Sequence, residues 1–233
     1  MRKIAFYLGF MMLIASCSNT PNGVSIVVLN DITEADFVAR PEPKKIISQF
    51  GLESNIWKSV LFRYSTISDI SVNREYQKEL ISEYSLLANE LQRKKLVSDF
   101  VKQVDSMLRS SQHVSPRNYS SIWKPLIAEI IELQLDTLTP SRIFLYSDLR
   151  ENSRIWSSYR KRDIQKYKEN FESVKQLFLK QAKAVRKGIP NIKVVVVYQP
   201  RTPFEDIQYQ RMVHLYETIF IELDIPIEFV ANL

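Results

Sequence analysis

Apolar residues along the chain fall into two alternating rhythms. Val24-Ser25-Ile26-Val27-Val28-Leu29 is a nearly continuous apolar and β-branched run, the pattern of a strand buried on both faces, and it ends on Asn30-Asp31. Past Pro41 and Pro43, residues 44–50 predict a short helix. Trp57–Ile67 predicts a second strand, because Val60, Phe62, Tyr64 and Thr66 alternate with Leu61, Arg63, Ser65 and Ile67. From 75 to 109 the apolar positions Tyr76, Leu80, Tyr84, Leu87, Leu91, Val97, Val101, Val104 and Leu108 step mostly by three or four, which predicts one amphipathic helix. Another helix is expected over Ser121–Leu135, with Pro125 tolerated in its first turn. The rhythm then repeats: a strand over Arg142–Tyr146 ending in Ser147-Asp148, a basic helix over Ser158–Lys187 and a valine-rich strand over Ile192–Tyr198. A helix over Pro203–Leu223 and a last strand over Ile225–Val230 follow.

Alternation of apolar strands with helices predicts a three-layer, Rossmann-like α/β fold, a mostly parallel sheet with helices on both faces and ligands at its carboxyl edge. Hydrophobic residues make up 45% and charged residues 25%, a globular composition that excludes a disordered stalk. Residues 24–233 are read as a single domain of this kind.

The segment before the first strand has another character. Met1-Arg2-Lys3, an apolar run over Ile4–Leu13 and then Ile14-Ala15-Ser16 describe an export leader over residues 1–16, too short for a stable membrane span. Ile14-Ala15-Ser16-Cys17 resembles the lipobox of bacterial lipoproteins, and the resemblance implies that Cys17 becomes the lipidated first residue of the mature protein. Residues 17–23 then form a short polar tether. Cys17 is the only cysteine, so no disulfide, thiolate metal site or cysteine nucleophile is available elsewhere. The formal charge is +6, of which Arg2 and Lys3 leave with the leader, a modest excess that points to no particular partner.

Two acidic residues stand at the carboxyl ends of two apolar strands, which is the pattern that bears on chemistry. Asp31-Ile32-Thr33-Glu34-Ala35 follows the first, Asn118-Tyr119-Ser120-Ser121 precedes a helix, and Ser147-Asp148 follows the later strand. In this order the segments resemble those of a von Willebrand factor A domain. The resemblance implies a metal-ion-dependent adhesion site for Mg²⁺ or Mn²⁺, with ligands Asp31, Thr33, Ser120 or Ser121, and Asp148. Hydroxyl and carboxylate oxygens suit such a hard cation, which keeps waters that a partner's carboxylate can displace. Asp148-Leu149-Arg150-Glu151-Asn152 resembles a stretch found in bacterial members of the family. The sequence departs from the pattern in having Ala35 where the second serine stands and Leu149 where a glycine usually follows the third-loop aspartate. Taken singly, Asp31 and Asp148 are strand-end residues that cap a helix or fix a turn, and Glu151 and Asn152 read as helix-start residues.

Residues 154–187 carry eleven Lys or Arg against three acidic residues. Their commoner meaning is a solvated helix face around a buried stripe of Ile164, Tyr167, Phe171, Val174, Leu177, Phe178 and Ala182; contact with anionic headgroups is the alternative, and nucleic acid is not expected. His113 and His214 lie a hundred residues apart and offer no zinc spacing. Phosphotransferases of the haloacid dehalogenase type need Asp-x-Asp, and here Thr33 fills the second place, leaving that chemistry without its proton donor. The sequence therefore reads as a lipid-anchored binding or assembly module of a bacterial cell envelope, not an enzyme. It is held to the membrane by its N-terminal lipid, at the periplasmic face or outer membrane, and meets a protein partner. The alternatives are a metal-dependent hydrolase or phosphatase on the same sheet, and a structural lipoprotein whose site is dead.

Overall fold

Strand β1 (Val24–Asp31) is buried at every position, as its unbroken apolar run requires. The computed structural model describes residues 23–33, 37–67, 75–82, 89–110, 119–135, 139–188 and 191–233. β1 pairs in parallel with β2 (Val60–Ile67) on one side. Strand β3 (Glu75–Leu80) closes that edge antiparallel to β2. On its other side β1 pairs in parallel with β4 (Ser141–Tyr146), β4 with β5 (Ile192–Val197), and β5 with β6 (Ile227–Val230). The six-stranded order is β3-β2-β1-β4-β5-β6, a doubly wound sheet in which the succession of strands reverses between β1 and β4. The expected Rossmann-like α/β architecture is the one the chain adopts.

Both faces of the sheet are covered. Helices α1 (Pro43–Ser48) and α2 (Glu90–Ser110) bring Ile46, Phe100, Val104 and Leu108 onto Ile26, Val28, Phe62, Tyr64, Phe144 and Val195. The opposite face belongs to the helices that follow: α3 (Trp123–Leu133), α4 (Lys161–Glu169), α5 (Phe171–Gln181) and α6 (Pro203–Leu223). Of these, α3, α5 and α6 pack their apolar stripes onto Val27, Leu29, Ile143, Leu145, Val194 and Val196. Successive valines of β5 thus serve opposite layers, the period of two that a strand imposes. Trp123 centres the second layer, meeting Phe178, Tyr216 and Phe220 edge-on at 5.3, 5.5 and 6.1 Å, and its Nε1 donates to the Phe178 carbonyl at 3.1 Å. Among the described residues no helix is long and apolar enough to cross a membrane.

Two expectations are corrected. The helix expected over 75–109 is a strand followed by a helix, β3 and then α2. Tyr76 and Leu80 are four apart, a spacing that fits a period of two as well as one of 3.6, and pairing with β2 decides between them. Tyr84 and Leu87 lie outside the described residues. The helix expected over 158–187 is interrupted at Asn170, whose backbone leaves helical geometry (φ −148°, ψ 71°) and whose side chain accepts the Ser173 N–H at 2.9 Å to start α5.

Asn89 starts α2, its Oδ1 accepting the Leu91 and Gln92 N–H groups at 2.9 and 3.3 Å, and Arg93 anchors that start to the sheet. It is buried, and its Nε and Nη1 each donate at 2.7 Å, to the carbonyls of Ile56 and Ile81, while Nη2 donates to that of Lys58 at 2.8 Å. One guanidinium thereby ties the first turn of α2 to the entry of β2 and the exit of β3. Arg93→Met keeps the apolar stem but leaves three carbonyls without their charged donor, and should lower unfolding free energy by about 3 kcal/mol or more. Arg93→Lys should not restore it, since an ammonium cannot span three carbonyls in one plane. Urea denaturation checks both, and a loss below about 1 kcal/mol for Arg93→Met would show that the edge is held by other contacts.

Candidate functional site at the carboxyl edge

The strand order reverses between β1 and β4, the place where doubly wound sheets hold ligands, and Asp31, the last residue of β1, lies there at 4% exposure. A carboxylate so buried needs donors, and three loops supply them. Thr33 donates its hydroxyl to Oδ1 at 2.7 Å and its backbone N–H to the same oxygen at 3.0 Å. Ser120 and Ser147 donate their hydroxyls to Oδ2 at 3.0 and 3.1 Å. All four donors are neutral. Burial accordingly holds the Asp31 carboxyl above the usual range, against the pull of those hydrogen bonds.

Asp148 lies beside this cluster, following Ser147 in the third loop. Its Oδ1 accepts the Arg150 N–H at 2.8 Å, and its Oδ2 is 3.9 Å from Arg150 Nε. Asp31 with Thr33, and Asp148 with Arg150, both close an Asx turn, the carboxylate accepting the N–H two residues on. Between Asp148 and Arg150, Leu149 has φ +61°. This is the left-handed region that favours glycine, and a leucine held there costs about 1–3 kcal/mol. Complete burial of its side chain contributes a comparable amount, about 1.5–3 kcal/mol, and its N–H donates to Ser147 Oγ at 3.0 Å. Leu149 thus meets the backbone demand of the position that glycine usually fills, by packing in place of conformational freedom.

Glu151 works at a distance along the chain. It is 1% exposed, and its Oε2 accepts the N–H groups of Ile122 and Trp123 at 2.8 and 2.9 Å, capping α3 from 28 residues beyond its first residue. Oε1 has no hydrogen-bond partner among the described residues. Burial pushes the carboxyl up to about 7; the nearby Ser153 hydroxyl and the two N–H donors oppose the shift, and the negative charge of Asp31 adds to it. Backbone bonds between Ser120 and Asn152, at 2.7 and 3.3 Å, stitch the second loop to the third just above this cap.

Of the residues singled out from sequence, Asp31, Thr33 and Ser120 come together and Asp148 adjoins them. Ser121 is buried next to the cluster, but Ser120 is the serine whose hydroxyl reaches Asp31. Cys17 and Ala35 lie outside the described residues. Ser147 and Glu151 complete the site and were not expected as functional; Ser147 carried a usable signal in standing beside Asp148 at a strand end, whereas nothing local to Glu151 indicates the helix it caps. Among the described residues no group of three or more His, Cys, Asp or Glu is placed to hold a metal. What gathers is oxygen only, and each hydroxyl donating to Asp31 keeps lone pairs free, a donor chemistry that fits a hard cation. Compared with family models the chain matches none, and no curated protein matches it.

Glu151 makes the fold sensitive to pH in a definite direction. Between the ordinary glutamate value and about 7 the folded chain holds a proton that the unfolded chain has released, so stability falls as pH rises through that window and levels off above it. Glu151→Gln keeps an acceptor for α3 and removes the titration, which should flatten the slope by about 3 kcal/mol across the window. Asp31, shifted the same way, leaves a residual slope of the same sign. Urea midpoints from pH 4.5 to 8 measure this; equal slopes in wild type and Glu151→Gln would mean that Glu151 is ionised in the fold throughout.

Proposed function

We propose that this protein is a lipid-anchored binding or assembly module of the bacterial cell envelope, whose von Willebrand factor A-like domain engages a protein partner through a divalent-cation site at the carboxyl edge. The observation that carries the reading is the Asp31 carboxylate at the sheet's switch point, ringed by hydroxyls from three separate loops with Asp148 adjoining. Asp31, Thr33, Ser120 and Asp148 would hold Mg²⁺ or Mn²⁺, and Ser147 orients Asp31. A bound cation supplies an open coordination position for a carboxylate of the partner. Thr33 donates a hydrogen bond to Asp31 and has no acidic proton to give, which favours binding over phosphoryl chemistry.

Chain direction supports the same reading. At about 3.3 Å per residue, the eight-residue β1 separates its amino end, next to Gly23, from Asp31 by about 25 Å. A lipid on Cys17 enters the domain from the amino edge, so the site faces away from the anchoring membrane and toward a partner.

If the site takes a cation, millimolar Mg²⁺ or Mn²⁺ should raise the melting midpoint of the mature chain by several degrees, the effect of a ligand well above its Kd. Asp31→Asn and Asp148→Ala should each abolish the rise. Melting indifferent to both cations would leave a structural lipoprotein, and hydrolysis of phosphomonoesters that Asp31→Ala abolishes would establish the hydrolase instead. The anchor is tested separately. Cys17→Ser should prevent incorporation of a fatty-acid analogue in cells, and persistence of the label would overturn lipidation at Cys17.

A further inference from the structure

On the flank of the carboxyl edge, the third loop, α4 and the first half of α6 enclose a cleft of about 50 Å³, room for about four water-sized groups. Its floor is apolar: Trp156 and Met212 are buried there, with Tyr167 as a wall whose hydroxyl donates to the Arg211 carbonyl at 3.0 Å. Its charge is of one sign. Arg150, Lys168 and Arg211 line the cleft and no carboxylate does. Asp148 offsets part of the Arg150 charge from 3.9 Å, and Arg150 Nε, buried, has no hydrogen-bond partner among the described residues. No ion pair joins Lys168 or Arg211 to a carboxylate among the described residues. Three cations around one small opening repel each other unless an anion comes between them.

The surface next to the cleft is apolar. Phe204 and Ile207, 67% and 52% exposed, stand on the face of α6 that continues through Gln208 to Arg211 in steps of three and four. On the other rim the Arg150 guanidinium lies 4.2 Å from the ring centroid of Tyr159, itself 46% exposed. This stacking holds the guanidinium flat, leaving its fork available in one plane for a pair of anionic oxygens.

From this geometry we infer that the cleft is a binding site for an organic oxyanion, a carboxylate or phosphate monoester that seats its charged head among Arg150, Lys168 and Arg211 and lays an apolar body on Phe204 and Ile207. The head fits the volume, and the body covers aromatic and aliphatic surface that otherwise faces water. Because β1 separates this edge from the end that carries the proposed lipid, the anion comes from a molecule other than the anchoring bilayer's own headgroups. The site requires no cation at Asp31, and so stands apart from the reading of the switch-point cluster.

Isothermal titration of the full mature chain with phenyl phosphate, benzoate and inorganic phosphate tests it. Phenyl phosphate or benzoate should bind, the tighter of the two identifying the head group, and inorganic phosphate should bind more weakly than phenyl phosphate. Arg211→Gln and Lys168→Gln should each weaken binding about tenfold or more, since each removes a charged donor from the head. Lys168 is exposed and Arg211 only partly buried, so folding should survive either change. Lys183→Gln, the same charge change at an exposed position outside the cleft, should leave affinity unaltered. Absence of binding by both organic anions up to about 10 mM overturns the site. Equal weakening by Lys183→Gln, or equal affinity for inorganic phosphate, also overturns it, the first by reducing the effect to net charge and the second by removing the apolar stripe from recognition.

Discussion

A buried carboxylate at the end of the central strand constrains everything around it. Asp31 is nearly inaccessible to water, so each of its oxygens must find donors within the protein, and an uncompensated charge there would cost several kcal/mol. The donors come from the loop after β1, the loop before α3 and the loop after β4. The need to satisfy Asp31 therefore holds three loops together at one point, and that point is the switch in strand order where a doubly wound sheet leaves room for a ligand.

The third loop carries a second constraint of the same kind. Glu151 replaces the side-chain cap that α3 lacks in its own sequence, since Ile122 precedes the helix and has no oxygen to offer. The helix start and the loop are thus fixed to each other through one carboxylate, and Trp123, whose N–H is one of the two capped, is the aromatic centre of the core below. Site and core share residues at this junction. Displacing the loop uncaps α3, and disturbing Trp123 moves the loop.

Arg150 connects the two features of the edge. Its backbone N–H closes the Asp148 turn, its guanidinium approaches Asp148 on one side and lines the cationic cleft on the other, and Tyr159 fixes its plane. Between Asp148 and Arg150, Leu149 sits at positive φ with its side chain completely buried.

By itself the sequence determined the order of strands and helices wherever one period was unambiguous. The burial of β1, β4 and β5 on both faces and the placement of Asp31 and Asp148 at strand ends follow from local patterns, because hydrophobic periodicity records which faces meet the core. It was equally able to bring Thr33 to Asp31, a contact two residues long. Tertiary structure alone decided the rest. Whether Tyr76 and Leu80 belong to a strand depended on the unpaired edge of β2 and on Arg93 reaching three distant carbonyls. Which serine would meet Asp31 depended on the bridge from Ser120 to Asn152, and the cap of α3 on a glutamate from another loop. The cleft needed three segments that no local pattern relates. Periodicity describes how a segment faces the core, while satisfaction of a buried charge depends on groups far apart in the chain, and only folding brings those within hydrogen-bonding distance.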